Sequence, residues 1–184
     1  MFENLEQDYR RDSKGKQGNV WRYVRKAGSN AGFRAMLFYR TGAWLYHRDQ
    51  IFLAGMCQRL MHHLCHCWIA VTAEIGPGFL IAHVGGLVIG GKTRIGRNCD
   101  VRQNVTFGGN FEKETPDGRT QPWVEDNVSI SVGAAILGPV RVGSNAIIGA
   151  NSVVTRDVPE GVIVFGIPAT VLKKRWAEDT GRKL

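Results

Sequence analysis

The chain has 184 residues, 43% of them hydrophobic, enough to bury a core as one ordinary domain with a small appendage. Its formal charge of +8 sits at the ends: residues 1–68 carry eleven Lys/Arg against five acids, residues 171–184 five against two, and residues 69–170 eight against nine. No aromatic-basic motif accompanies that charge, so nucleic acid is not an expected partner, and no apolar stretch is long enough to span a bilayer.

The basic ends suit phosphate groups or anionic lipid head groups. The opening Met1-Phe2-Glu3-Asn4-Leu5-Glu6-Gln7-Asp8 is polar and acidic, unlike a secretory signal. Cys57, Cys65, Cys67 and Cys99 show no disulfide framework, which points to a reducing, cytoplasmic setting.

Residues 1–72 read as an N-terminal α-helical cap. Arg10 to Lys26 is polar and basic with Gly15 and Gly18, a helix end followed by a loop. An amphipathic helix starts at Phe33 and runs toward Trp44, Leu45 and Tyr46. A second, from about Ile51 to Cys67, spaces Leu53, Met56, Cys57, Leu60, Leu64 and Cys67 by threes and fours. These helices are expected to cover the open end of the section downstream, although Phe52, Leu53, Leu60 and Trp68 with Arg59 could instead touch a membrane surface. The tract His62-His63-Leu64-Cys65-His66-Cys67 resembles a metal site, but no distant ligand pair completes a zinc spacing, and no metal is expected.

From residue 73 to 170 a different rhythm rules. Apolar residues recur every sixth position at Ile89, Ile95, Val101 and Phe107, then at Val124, Ile130, Ile136, Val142, Ile148 and Val154. A period of six is the mark of a hexapeptide β-helix, in which short strands and corners build a triangular prism. Four positions after each inward residue stand compact side chains: Thr93, Cys99, Val105, Val128, Ala134, Ala146 and Ser152. Gly90, Gly96, Gly143 and Gly149 follow the inward residue, where backbone freedom is expected to matter. The polar run 110–121, with its Pro-Asp-Gly turn signal, reads as a loop thrown out from one corner.

The rhythm breaks once more, at Leu80-Ile81-Ala82-His83-Val84-Gly85-Gly86, where the phase slips by two residues. His83 is the single histidine of the repeat section. Histidine elsewhere is more often structural, but an imidazole in irregular backbone suits a general base toward a hydroxyl.

Residues 73–171 resemble the hexapeptide acyltransferases, and most closely their serine acetyltransferase branch. The resemblance is carried by His83-Val84-Gly85-Gly86-Leu87-Val88-Ile89-Gly90, Val105-Thr106-Phe107-Gly108-Gly109, Ile148-Gly149-Ala150-Asn151-Ser152-Val153-Val154 and Gly166-Ile167-Pro168-Ala169. It implies a mainly β fold, a left-handed parallel β-helix; a homotrimer with sites between subunits; acetyl-CoA as donor; and His83 as base. It also implies backbone contacts to the pantetheine arm at Ala134 and Ala150, and nucleotide-end contacts at Thr155, Arg156 and Lys173. Arg156 and the basic C-terminal tail 171–184, with Lys173-Lys174-Arg175, offer cations for the phosphates. The thioester is expected near Gly108 or Gly109, where a backbone N–H could hold an oxyanion.

Three departures bear on the acceptor. Where that branch has an aspartate fifteen residues before the catalytic histidine, this chain has Trp68; where it has one directly before, Ala82; and where it has a second histidine, in a His-Pro pair, Gln121. A zwitterion would lack paired charges there. The expected acceptor is therefore a sugar or sugar-lipid hydroxyl of polysaccharide assembly, as in the related exopolysaccharide and colanic acid acetyltransferases. Asp100, Gln103, Asn104, Asn110, Arg119 and Trp123 are its candidate contacts. Glu74, Asp100 or a backbone carbonyl could orient His83. L-Serine is the alternative acceptor, and an inactive β-helix scaffold the non-enzymatic one.

Overall fold

The computed structural model describes residues 2–110 and 113–174. Four helices come first, α1 (Phe2–Asp12), α2 (Val20–Ser29), α3 (Ala31–Tyr46) and α4 (Ile51–Cys65). Short parallel strands then wind into a β-helix with three faces. The first face stacks β1 (Trp68–Ile69), β4 (Val88–Ile89), β7 (Thr106–Gly108), β10 (Ala135–Leu137) and β13 (Val153–Val154). The second stacks β2 (Glu74–Ile75), β5 (Arg94–Ile95), β8 (Trp123–Val124) and β11 (Arg141–Val142). The third holds β3 (Leu80–Ile81), β6 (Asp100–Val101), β9 (Ser129–Ile130) and β12 (Ile147–Ile148), and closes on a hairpin of β14 (Val162–Gly166) and β15 (Ala169–Lys174).

The six-residue rhythm is the register. Ile69, Ile89, Phe107, Ile136 and Val154 stand directly over one another on the first face, and each is buried. The compact residues four positions on, from Thr93 to Ser152, are fully buried as well. Inward strand residues from three faces leave only that much room at the corners.

Corner geometry corrects the expected role of the glycines. The residue three places before an inward position adopts positive φ, in a column Gly78, Asn98, Asn127, Asn145, Gly161 along one edge and Gly86, Asn104, Gly133, Asn151 along the next. Asparagine is the L-residue that tolerates this conformation best, so it fills most of those sites. Gly96 and Gly143 are small for another reason. A Cβ there would lie 2.8 Å from the Glu125 carbonyl carbon and 2.6 Å from the Glu160 nitrogen of the next coil.

The cap is held by arginines that reach the carbonyls of the first coil. Arg40 donates from Nε to Asp8 Oδ2 (2.9 Å), from Nη1 to Ile75 O (2.5 Å) and from Nη2 to Gly76 O (2.6 Å). Asp8 also accepts from Phe79 N at 2.9 Å. Burial raises the Asp8 carboxyl above its ordinary pKa even though Arg40 opposes that shift. Tyr39 Oη donates to Ala73 O at 2.6 Å, and Arg11 donates to Gly78 O (2.6 Å) and Cys99 O (2.8 Å).

Several boundaries differ from those read in the sequence. Arg10–Lys26 is not helix end and loop alone, because α2 starts at Val20, capped by Asn19 Oδ1 accepting from Arg22 N at 2.9 Å. The β-helix begins at Trp68 rather than residue 73, and α4 stops at Cys65 with His66 at φ 51°. The expected tail starting at residue 171 is, through Lys174, strand β15 paired antiparallel with β14. Arg175 and the rest of that tail lie outside the described residues. Residues 113–121 do form the expected loop, closed by Thr115 N donating to Arg119 O at 3.0 Å.

Candidate active site

His83 stands on the edge between the third and first faces. Ile81 and Ile89 are eight residues apart instead of six, and the corner absorbs the surplus by pushing Ala82 and His83 into solvent. On either side it is anchored: Val84 packs against the core and Leu87 is fully buried. Ala82 N donates to Val101 O (3.0 Å) and Gly86 N to His66 O (2.9 Å), while Gly85 O accepts from Asn104 N (2.8 Å). Gly85 and Gly86 have φ of 107° and 63°, and a Cβ on Gly86 would meet Asn104 Oδ1 at 2.2 Å. The two glycines are thus conditions for the backbone that carries the imidazole outward.

Neither acid expected to orient His83 does so. Glu74 pairs with Arg94 at 3.1 Å on the second face. Asp100 is bound to Arg11 (3.0 Å) and Ser129 (3.0 Å) on the third face, so it anchors the cap instead of lining an acceptor pocket. Among the described residues no side chain hydrogen-bonds to His83.

The same edge carries Asn104, Gln103 and, further along, Ala150. Asn151 N reaches Val132 O and Gly133 N reaches Gln103 O, so Ala150 lies three coils from His83, about 14 Å at the usual strand spacing. Gln103 Oε1 is buried with no partner among the described residues, an acceptor left open beside the histidine corner. Ala134 is fully inside the prism, and its N–H and C=O already bond Ser131 O and Thr106 N.

The remaining donor candidates are elsewhere. Gly108, Gly109, Thr155 and Arg156 lie along the opposite edge of the first face, where the 110–121 loop leaves the prism. Five residue steps along the strand separate Asn104 from Gly109, about 16 Å. Lys173 pairs with Ile163 near the far end of the third face. One chain alone does not bring these residues to His83.

Under the loop, Lys92, Arg94, Arg119, Gln121 and Trp123 line a cavity of about 300 Å³. The Arg94 and Arg119 guanidiniums each sit 5.7 Å from the Trp123 ring centre. Arg119 Nε and Nη1 are buried without hydrogen bonds, whereas Asn110 is exposed at the loop's start. Gln121 has a structural task that its sequence position did not reveal: its Oε1 accepts from Lys92 N (3.0 Å) and Thr93 Oγ1 (3.1 Å). Trp68 is exposed on β1, edge-on to His62 at 6.0 Å. Among the described residues no three His, Cys, Asp or Glu side chains gather into a metal-binding group.

A family model described as bacterial transferase hexapeptide (six repeats) matches residues 122–156. The serine acetyltransferase of Bacillus licheniformis is 38% identical over 150 residues, which are 82% of this chain and 68% of that protein. That of Escherichia coli K12 is 35% identical over 143 residues, 78% of this chain and 51% of that one. The chain thus spans between about half and about two thirds of these relatives' length. The crystal structure of Neisseria gonorrhoeae serine acetyltransferase superposes with a TM-score of 0.82 at 33% identity, covering 95% of this chain and 66% of that one. A serine acetyltransferase in complex with CoA superposes at a TM-score of 0.78 and 30% identity, covering 92% and 68%. Kinship of that depth, on the same coil architecture, means that the chain belongs to the serine acetyltransferase family of hexapeptide-repeat acyltransferases.

Proposed function

We propose that this protein transfers the acetyl group of acetyl-CoA to a hydroxyl, with His83 as general base. The observation that carries this reading is the exposed imidazole on a corner whose two extra residues and two positive-φ glycines serve to present it. The imidazole takes the hydroxyl proton as the oxygen attacks the thioester carbonyl carbon. The C–S bond then breaks, and the departing coenzyme A sulfur recovers the proton from the imidazolium. Backbone at Gly108 or Gly109 would face the carbonyl oxygen, Ala150 the pantetheine arm, and Thr155, Arg156 and Lys173 the nucleotide end.

These groups lie on different edges of one prism, so the reading requires a homotrimer in which the His83 edge of one copy meets the loop edge of the next. An apolar surface supports such packing. Phe52, Met56, Leu60 and Leu64 are exposed along α4, and that helix leads through His62 to the exposed Trp68 and Val88 of the first face. The free cysteines accord with a cytoplasmic setting.

For the acceptor, the relatives' name backs free L-serine better than the sugar expected from the motif departures, and L-serine takes first place. A pyranose hydroxyl remains a second reading on one specific ground. Trp68 and Ala82 carry no charge, and Gln121 is committed to the corner at Lys92 and Thr93, so the ammonium and carboxylate of serine find no partner at those three positions. Coenzyme A release should be followed with L-serine and with a panel of hexopyranosides. Saturable release with L-serine establishes the first reading; release with a pyranoside and none with serine replaces it by the second.

A further inference from the structure

α2 is the one helix of the four without a buried residue. Its inner side meets the cap through Tyr23 and Ala27, which pack on the small cluster of Leu5, Tyr9 and Phe33, through Tyr23 Oη donating to Glu6, through Arg34 Nη1 donating to Ala27 O at 2.9 Å, and through Lys26 paired with Asp12 at 2.7 Å. At 100° per residue, the apolar arc of Tyr23 and Ala27 continues through Val20, Val24 and Trp21. Nothing among the described residues covers that continuation: Val20 is 73% exposed, Trp21 81% and Val24 59%.

The surround is strongly basic. Of the cations between residues 10 and 26, Arg10, Arg11 and Lys26 are paired with Glu6, Asp100 and Asp12. Lys14, Lys16, Arg22 and Arg25 are all exposed, and none of them has an acidic partner among the described residues. Lys14 and Lys16 lie in the loop that leads into α2 and Arg25 borders Trp21 on the helix itself, while Arg22 stands further round it, its Nη1 donating to Gln17 O at 2.6 Å.

An exposed tryptophan between valines on a short amphipathic helix, with cations free of acidic partners on the helix and in the loop before it, has the chemistry of an interfacial anchor. We propose that α2 and its preceding loop dock this protein on an anionic bilayer surface, Val20, Trp21 and Val24 entering the head-group region while the four cations meet lipid phosphates. The membrane contact weighed for α4 as the alternative to packing is thereby placed on a different helix. α4 exposes a longer apolar stripe, but its one Lys or Arg is Arg59, so that face suits a second copy better than lipid.

The test is sedimentation of the full chain with vesicles of phosphatidylcholine alone and of phosphatidylcholine containing one third phosphatidylglycerol. Binding is expected with the anionic vesicles only, and it should weaken as salt rises. Replacing Lys14, Lys16, Arg22 and Arg25 by Gln should lower the partition coefficient about fivefold per cation. Trp21→Ser should weaken binding at fixed salt and leave the oligomeric state unchanged. Its side chain is open to solvent, so folding does not depend on it. Equal binding to both vesicles, no binding to either, or a Trp21→Ser chain that changes oligomeric state would overturn the proposal, the last by assigning the face to another copy of the chain.

Discussion

The imidazole of His83 is displayed by backbone alone. Gly86 is where that display is most exposed to test, because it combines positive φ with the Asn104 side-chain oxygen at 2.2 Å from any added Cβ. Left-handed backbone costs an L-residue about 1–2 kcal/mol. Gly86→Ala is expected to lose at least that much stability in urea melts, and to lose acetyl transfer disproportionately as the corner shifts. Gly85→Ala meets no atom within 4 Å and isolates the backbone effect. At this scale the sequence was informative about His83, since a break in a strict count marks a place where packing gave way to something else. It was silent on what orients the ring. Glu74 and Asp100 are near His83 in the sequence, yet a triangular coil turns each onto a different face, where Arg94 and Arg11 engage them.

Strands of two residues can be read from sequence when each must bury one side chain in a narrow prism, and the inward series from Ile69 to Val154 shows that constraint at every coil. The elements missed are those that obey another rule. α2 carries an apolar arc but buries none of its residues and follows a basic run broken by Gly15 and Gly18, which reads as loop, and β15 turns back antiparallel beyond the last full coil. The junction of cap and β-helix was equally hidden, because Arg40 and Arg11 act on carbonyls 35 and 67 positions away. That junction carries a strong prediction. Asp8→Ala leaves the Arg40 guanidinium, 6% exposed, without its carboxylate. Breaking a buried pair in this way should destabilise the fold by about 3–5 kcal/mol, measurable as a shift in the chemical-denaturation midpoint.

Across the whole molecule, the residues that the family resemblance singles out fall on two edges and one remote strand, a separation invisible in a linear motif. On the proposed function a single prism would present half of each site, the base on one edge and the glycines of the thioester region on the other, and assembly would be part of the chemistry. The departures at Trp68, Ala82 and Gln121 alter the acceptor side of that site and leave the base in place. The central claim is that His83 removes the acceptor proton, and steady-state coenzyme A release by His83→Ala tests it most directly, with coenzyme A binding and oligomeric state measured on the same sample. Turnover is expected to fall about 10²–10⁴-fold with binding and assembly unchanged. Turnover near that of the unsubstituted protein would contradict it.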